Sequence, residues 1–289
     1  MAGQRTGILS REHAEHVHEI VREVSLSEIM PRFTGRTRYN QTVKTSAFDI
    51  VTDADEAAES ALTNRLGHLF PNAAFLGEDA AARDPDMHRR ALQAELCVII
   101  DPLDGTKNFA SSLPLFGTMV AVLVNGEVAL AVIYDPISDD ACLAVRGVGA
   151  WKRHGSGSDE NLRVSRGGTL SSLQGVAGVN FVAPPLLDRF MHGMSKVALT
   201  FWLRCAAHEY RMAAAGHCDF LIYNRMMPWD HAAGWLLHRE AGGHSARFDG
   251  SPYDPAQLDG GLILAPDLAS WEALRDAFIE SGAGREPAA

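Results

Sequence analysis

Cysteine is scarce in this chain, with Cys97, Cys142, Cys205 and Cys218 the only four among 289 residues and no CxxC pair. That spacing excludes a cysteine-built metal site, and thiols scattered through apolar segments read as buried and reduced, which fits a cytoplasmic protein. No apolar run approaches the roughly 18 residues of a membrane span, and the opening MAGQRTGILSREHAEH has no apolar core of signal-peptide length. Neither a membrane role nor export is expected. Basic residues are in deficit, 26 Lys and Arg against 36 Asp and Glu, for a formal net charge of -10. Without a basic excess or stripe, a nucleic-acid partner is not expected. There is no internal repeat. What is plentiful is ordinary: 46% hydrophobic and 21% charged residues, enough for a large core in one big domain or two halves.

The pattern along the chain divides accordingly. Ser10 to Met30 reads as a helix capped by Ser10, with Val17, Ile20, Val21 and Val24 on one face. His13, His16 and His18 on that helix admit a metal-binding reading or a solvated face. A second helix is predicted over Asp55 to Phe70. Leu96 to Ile100 is a short apolar run of the buried-strand kind that stops at Asp101-Pro102. Met119–Val124 and Val128–Tyr134 flank Asn125-Gly126, a strong hairpin signal; another hairpin spans Ala141 to Trp151. The second half alternates apolar segments at Gly175–Val179, Ala198–Trp202 and Gly261–Leu264 with helical stretches near Ala206–Ala215, His231–Ala241 and Leu268–Ile279. That alternation predicts an α/β layer after an α+β first half. The polar run Arg153 to Glu160 is the expected seam, dividing residues 1–157 from 158–289, and the tail Ser281 to Ala289 is expected to be disordered.

The chemistry concentrates in Asp101-Pro102-Leu103-Asp104-Gly105-Thr106-Lys107-Asn108-Phe109. A strand end delivers two carboxylates three residues apart, followed by a Gly-Thr turn. Carboxylates this close repel unless a cation lies between them or one is protonated. Hard divalent ions such as Mg²⁺ prefer such oxygen ligands, and the turn offers backbone N–H groups to an anion. A capped turn with one surface Asp is the bland alternative. Three more acidic motifs accompany it: Phe75-Leu76-Gly77-Glu78-Asp79, Trp229-Asp230-His231 at a helix start, and Asp49 to Asp55 preceded by Lys44. Each has a bland reading as well, Glu78 in a solvated turn, Asp230 as an N-cap, Asp55 as the cap of the second helix.

Taken together and in this order, the four motifs resemble those of the inositol monophosphatase family, within the lithium-sensitive, Mg²⁺-dependent phosphatases, from about Lys44 to Gly243. The resemblance implies a five-layered α-β-α-β-α sandwich, usually a homodimer, and two or three Mg²⁺ ions. It implies Glu78, Asp101 and the Leu103 carbonyl as ligands of one ion and Asp101, Asp104 and Asp230 of another, with a weaker third ion near Glu78. Asp55 and Thr106 would activate the attacking water, Gly105 and Thr106 would bind phosphate through backbone N–H groups, and Lys44 would add positive charge. The reaction implied is hydrolysis of small-metabolite phosphate monoesters, inositol monophosphates first. A covalent route is not expected, because Asp53-Ala54-Asp55-Glu56-Ala57 lacks the final Thr or Val that aspartyl-phosphate phosphatases carry.

The resemblance thins at the substrate rim, where Asp104, Arg204, Ala206, Glu209 and Tyr223 are the implied contacts. Inositol phosphatases carry Gly-Ser/Thr-Ala-Ala where this chain has Arg204-Cys205-Ala206-Ala207, and a glutamate where it has Tyr223. Lys107 is common instead in the branch that cleaves 3′-phosphoadenosine 5′-phosphate, although Asn108 departs from that pattern. Histidinol phosphate and fructose 1,6-bisphosphate are further candidates. His208, Arg211 and Arg225 join Arg204, Glu209 and Tyr223 as candidates for the variable pocket. A degenerate phosphate- or metal-binding protein is the non-enzyme alternative, and the intact acidic set counts against it.

Overall fold

The computed structural model describes residues 9–35, 40–46, 49–84, 86–155, 157–180 and 182–280, with the side chains of 41–46 and 49–51 outside the description. The expected helix begins as α1 (Arg11–Val24), continues through a π-helical turn (Ser25–Ile29), and ends in α2 (Met30–Phe33). Ser10 caps it, and His13 completes a capping box by accepting the Ser10 N–H at 3.1 Å. His18 is buried against Tyr134 and His16 is exposed. The three histidines do not converge, so their helix roles are structural.

A two-stranded ribbon, β1 (Gln41–Ser46) and β2 (Asp49–Thr52), precedes α3 (Asp53–Leu69). This helix starts earlier than its sequence pattern suggests, because Thr52 is the N-cap and Asp55 the third residue of the capping box. The first large sheet has seven strands in the order β3 (Ala74–Gly77), β4 (Leu96–Asp104), β5 (Gly117–Val124), β6 (Glu127–Asp135), β7 (Asp140–Val145), β8 (Gly149–His154) and β9 (Asp159–Asn161). Only β3 and β4 pair in parallel; the rest form a meander. Asn125 and Gly126 both take positive φ at the β5–β6 turn, as a tight hairpin requires. Two short helices, α4 (Glu78–Arg83) and α5 (Met87–Leu92), bridge β3 to β4, and α6 (Thr106–Ala110) follows β4. The polar run around Arg153 is the turn between β8 and β9, and the chain crosses to its second sheet between Asn161 and Gln174.

That second sheet has five strands in the order β11 (Leu199–Phe201), β10 (Gln174–Ala177), β12 (Phe220–Tyr223), β14 (Leu262–Ala265) and β13 (His244–Arg247). Its helices are α7 (Leu186–Met194), α8 (Ala206–Ala214), α9 (Pro228–Glu240) and α10 (Leu268–Arg275), the last extended by a π-helical turn over Asp276–Glu280. The tail 281–289 lies outside the described residues.

Strand parity sorts the side chains into layers. Val98, Ile100, Val120 and Val132 pack with Val17 and Val21 of α1 and Leu62 and Leu66 of α3. Cys97, Ile99, Met119 and Ala121, on the opposite face, pack with α8 and α9, which also cover Val176, Leu221 and Leu264 of the second sheet. The far face of that sheet, including Ala177, Ile222 and Ile263, packs with Phe190, Trp271 and Leu274 of α7 and α10. Helices, sheet, helices, sheet and helices make the five-layered α-β-α-β-α sandwich.

Candidate active site

The site is organised by a defect in β4. Residues three apart on a regular strand face opposite sides of the sheet. Asp101 pairs with Met119 and Asp104 with Gly117, so β4 spends one residue more than β5 over this stretch. The bulge brings both carboxylates to the face covered by α8 and α9. Opposite it, the Thr118 hydroxyl donates to the Pro102 carbonyl at 2.9 Å, satisfying a group the ladder has lost. Gly105 then turns the chain with φ +85; a Cβ there would lie 2.9 Å from the Leu115 carbonyl oxygen, so only glycine fits.

Around this bulge lies a cavity of about 220 Å³. Its wall carries Glu78 at the start of α4, Asp101, Leu103 and Asp104 from β4, and Asp230 from the first turn of α9. Gly105, Thr106 and Lys107 form the neighbouring edge, and Arg204, Ala206, Glu209, Tyr223 and Arg225 line the other. Asp55 reaches the same place from α3, accepting the Thr106 hydroxyl at 3.1 Å while Thr106 also lies 2.9 Å from the Leu103 carbonyl. Lys44 falls on β1, and its side chain lies outside the described residues. His208 and Arg211 are turned elsewhere: His208 bonds the Phe116 carbonyl at 3.1 Å, and Arg211 is ion-paired with Asp140 and Asp135.

The electrostatics of the cluster are those of confined like charges. Burial raises the Asp101 carboxyl well above the ordinary range, and repulsion from Glu78, Asp104, Asp230 and Asp55 raises it further. Burial pushes Asp55 up to about 7, against hydrogen bonds from Thr52. Asp104 is pushed by burial to about 6, although the Ala207 N–H and the Cys205 thiol both donate to it. All the donors are carboxylate or carbonyl oxygens, the chemistry a hard divalent cation selects. Among the described residues no three His, Cys, Asp or Glu side chains form a ready cation-holding group. Asp101 and Asp104 are instead turned to backbone donors, Leu103 N–H at 3.1 Å and Ala207 N–H at 2.5 Å. The donor set suits the ion, and each of these backbone bonds uses one oxygen of its carboxylate.

Asp230 is the third residue of α9 rather than its N-cap, which is Met227, and Pro228 occupies the first position. The turn into α9 is fixed by His231, whose Nε2–H donates to the Arg225 carbonyl at 2.6 Å while Nδ1 accepts the Tyr210 hydroxyl at 3.1 Å. Burial pushes this imidazole down to about 4, so it is neutral. The rim loop 202–205 is pinned with equal care. Asn108 Nδ2 donates to the carbonyls of Leu115 (2.9 Å) and Leu203 (2.8 Å), and the Leu203 N–H donates to Glu209 at 2.9 Å. Arg204 adopts φ +57, a conformation costing a non-glycine residue about 1–2 kcal/mol. The other Glu209 oxygen accepts the Tyr223 hydroxyl at 2.9 Å, and burial pushes this carboxyl up to about 8. Sequence reasoning gave no site role to Trp202, His231, Asn108 or Cys205. His231, Asn108 and Cys205 stood inside motifs quoted for their neighbours, and Trp202 appeared only as the end of an apolar segment.

Comparison with known proteins agrees with this architecture. The family model described as Inositol monophosphatase family matches residues 11–281. A protein of Mesorhizobium japonicum named inositol-1-monophosphatase is 33% identical over 237 residues, 78% of this chain and 81% of that one. Another, from Thermotoga maritima and named fructose-1,6-bisphosphatase/inositol-1-monophosphatase, is 32% identical over 72% of this chain and 75% of its own. The crystal structure of extragenic suppressor protein suhB from Bartonella henselae superposes with a TM-score of 0.78 at 26% identity, covering 92% of this chain and 98% of that one. A family match over nearly the whole length, with relatives above 30% identity, places this chain in the inositol monophosphatase family of phosphatases.

Proposed function

We propose that this protein hydrolyses phosphate monoesters of small metabolites with the help of two or three Mg²⁺ ions, using an attacking water and no phosphoenzyme. The observation that carries the reading is Asp101: a buried carboxylate in the field of Glu78, Asp104, Asp230 and Asp55, on the wall of one cavity. Glu78, Asp101, Asp104, Asp230 and the Leu103 carbonyl would hold the ions. Bound there, divalent cations supply charge neutralisation of the phosphoryl group and a lowered pKa for a water.

The chain's own groups do the rest. Asp55, which accepts the Thr106 hydroxyl at 3.1 Å, would take a proton from the attacking water through Thr106, which stands between it and the cavity. Backbone N–H groups of Gly105 and Thr106 would bind phosphoryl oxygens, and Lys44 is assigned the same task from sequence alone. Asp104, Arg204, Ala206, Glu209 and Tyr223 would meet the alcohol part of the substrate. Relatives named as inositol-1-monophosphatases make inositol 1-phosphate the reference substrate. The T. maritima relative's name makes fructose 1,6-bisphosphate the second reading, and Lys107, Arg204 and Arg225 on the wall suit a second phosphate.

Lithium inhibition and homodimer assembly follow from the resemblance and belong to the same proposal. Among the described residues no helix is long and apolar enough to cross a membrane. Phosphate release from a panel of monoesters, with Mg²⁺ and with excess chelator, tests the function. Mg²⁺-dependent turnover supports it, and undiminished turnover in chelator refutes it.

A further inference from the structure

Trp202 and Arg204 of the rim loop and Tyr223 of β12 line the cavity together and share one chemical direction. Trp202 is 43% exposed on the cavity wall, beside Gly178, where an added Cβ would touch the indole at 3.7 Å. Arg204 lines the cavity with a left-handed backbone, φ +57, and carries a guanidinium where the resemblance expects a glycine. Among the described residues that guanidinium has no hydrogen-bond or ion-pair partner. A strained residue held in place by its surroundings points to a use for its side chain. The hold is evident, since Asn108 bonds Leu203, Leu203 bonds Glu209, and the Cys205 thiol donates to Asp104 at 3.1 Å. The carboxylate that would read a polyol is meanwhile replaced by Tyr223, whose hydroxyl is committed to Glu209.

We infer that Trp202 and Arg204 form a specificity element for phosphomonoesters whose alcohol part is flat and carries a negative charge of its own, the ring lying on Trp202 and the anion on Arg204. The inference rests on the phosphatase reading above and narrows its substrate class. An indole face stacks on any planar unsaturated ring, and a guanidinium binds phosphate or carboxylate with two parallel hydrogen bonds. A neutral polyol uses neither.

The test compares adenosine 3′,5′-bisphosphate, adenosine 3′-monophosphate and inositol 1-phosphate by kcat/KM in Mg²⁺, on the wild type and on Trp202→Ala, Trp202→Phe, Arg204→Gly and Arg204→Lys. The wild type is expected to rank them in that order. Trp202→Ala should cut the preference of both adenosine esters over inositol 1-phosphate by roughly tenfold or more, and Trp202→Phe should restore most of it. Arg204→Gly should erase the advantage of the bisphosphate over the monophosphate while raising the melting temperature, because the strain is gone; Arg204→Lys should keep part of the advantage. Equal or better use of inositol 1-phosphate by the wild type, or ratios unchanged in Trp202→Ala and Arg204→Gly, overturns the inference alone. If none of the three esters is hydrolysed, the phosphatase reading fails instead. Calorimetric binding of adenosine 3′,5′-bisphosphate and inositol 1-phosphate then decides the rim, with tighter binding of the former lost in Trp202→Ala supporting it and equal binding overturning it.

Discussion

Asp104 accepts the backbone N–H of Ala207 at 2.5 Å, so a carboxylate at the end of β4 is tied to the first turn of α8. With the Cys205 thiol, which donates to the same carboxylate at 3.1 Å, this bond ties the first sheet to the helix layer between the two sheets at the cavity wall. Asp104→Asn keeps an oxygen for that N–H and removes a repelling charge. Its folding stability is expected to stay within about 1 kcal/mol of wild type, by urea unfolding. Its kcat/KM for phosphate release should fall by roughly a hundredfold or more, as for other losses of charge at a metal centre.

Acidification should stabilise the metal-free protein before it destabilises it. Asp101, Asp104 and Asp55 are raised in the folded state, the latter two to about 6 and about 7. A raised carboxyl binds its proton more tightly folded than unfolded, so its contribution is complete below the unfolded pKa of about 4 and is lost as pH climbs through the folded value. Buried His18 and His231, pushed down to about 4, act oppositely below their unfolded pKa of about 6.5. In chelator, the melting temperature is expected to rise as pH falls from about 8 to about 6.5, and to rise less in Asp101→Asn. Equal rises in both proteins would contradict the clustered-carboxylate picture.

Thr106→Val removes the hydroxyl that Asp55 accepts while preserving shape and leaving the Thr52–Asp55 capping box intact. Turnover is expected to drop by about 10²–10⁴, the usual contribution of a positioned acid–base group. Circular dichroism should be unchanged. Activity within a factor of about two of wild type would remove Thr106 from the water-activating role.

Glu209 offers a second pH readout. Pushed up to about 8 by burial, it is charged at cost only above that value. Glu209→Gln leaves one acceptor oxygen for Leu203 and Tyr223 and removes the charge that Glu209 takes on above its raised pKa. The melting temperature of the variant relative to wild type is therefore expected to be more favourable at pH 9 than at pH 6. A difference that is constant with pH would mean Glu209 is not titrating in its buried position.

Much of this was legible in the sequence, and the remainder was hidden for identifiable reasons. The run Leu96–Ile100 located the buried strand, Asn125-Gly126 the hairpin, and the acidic motifs the cavity wall. Proline at position 102 made β4 look finished at Ile100, yet the strand continues through a bulge to Asp104, and it is the bulge that puts Asp101 and Asp104 on one face. The runs Ala74–Gly77 and Phe220–Tyr223 are too short for periodicity to identify as strands. Asp55 illustrates a false choice between roles, since it completes a helix cap and also accepts the Thr106 hydroxyl. Asn108 and Cys205 acquire their meaning from partners some hundred residues away in the chain. No local pattern encodes such a contact.

The most direct test of the central claim is equilibrium Mg²⁺ binding by calorimetry to the wild type and to Glu78→Gln, Asp101→Asn, Asp104→Asn and Asp230→Asn. The expected result is saturable binding weakened by roughly tenfold or more in every variant, with Asp101→Asn the most impaired. Wild-type affinity in Glu78→Gln or Asp230→Asn would show that these distant segments do not share an ion with β4, and would contradict the assignment of this cavity as a common metal site.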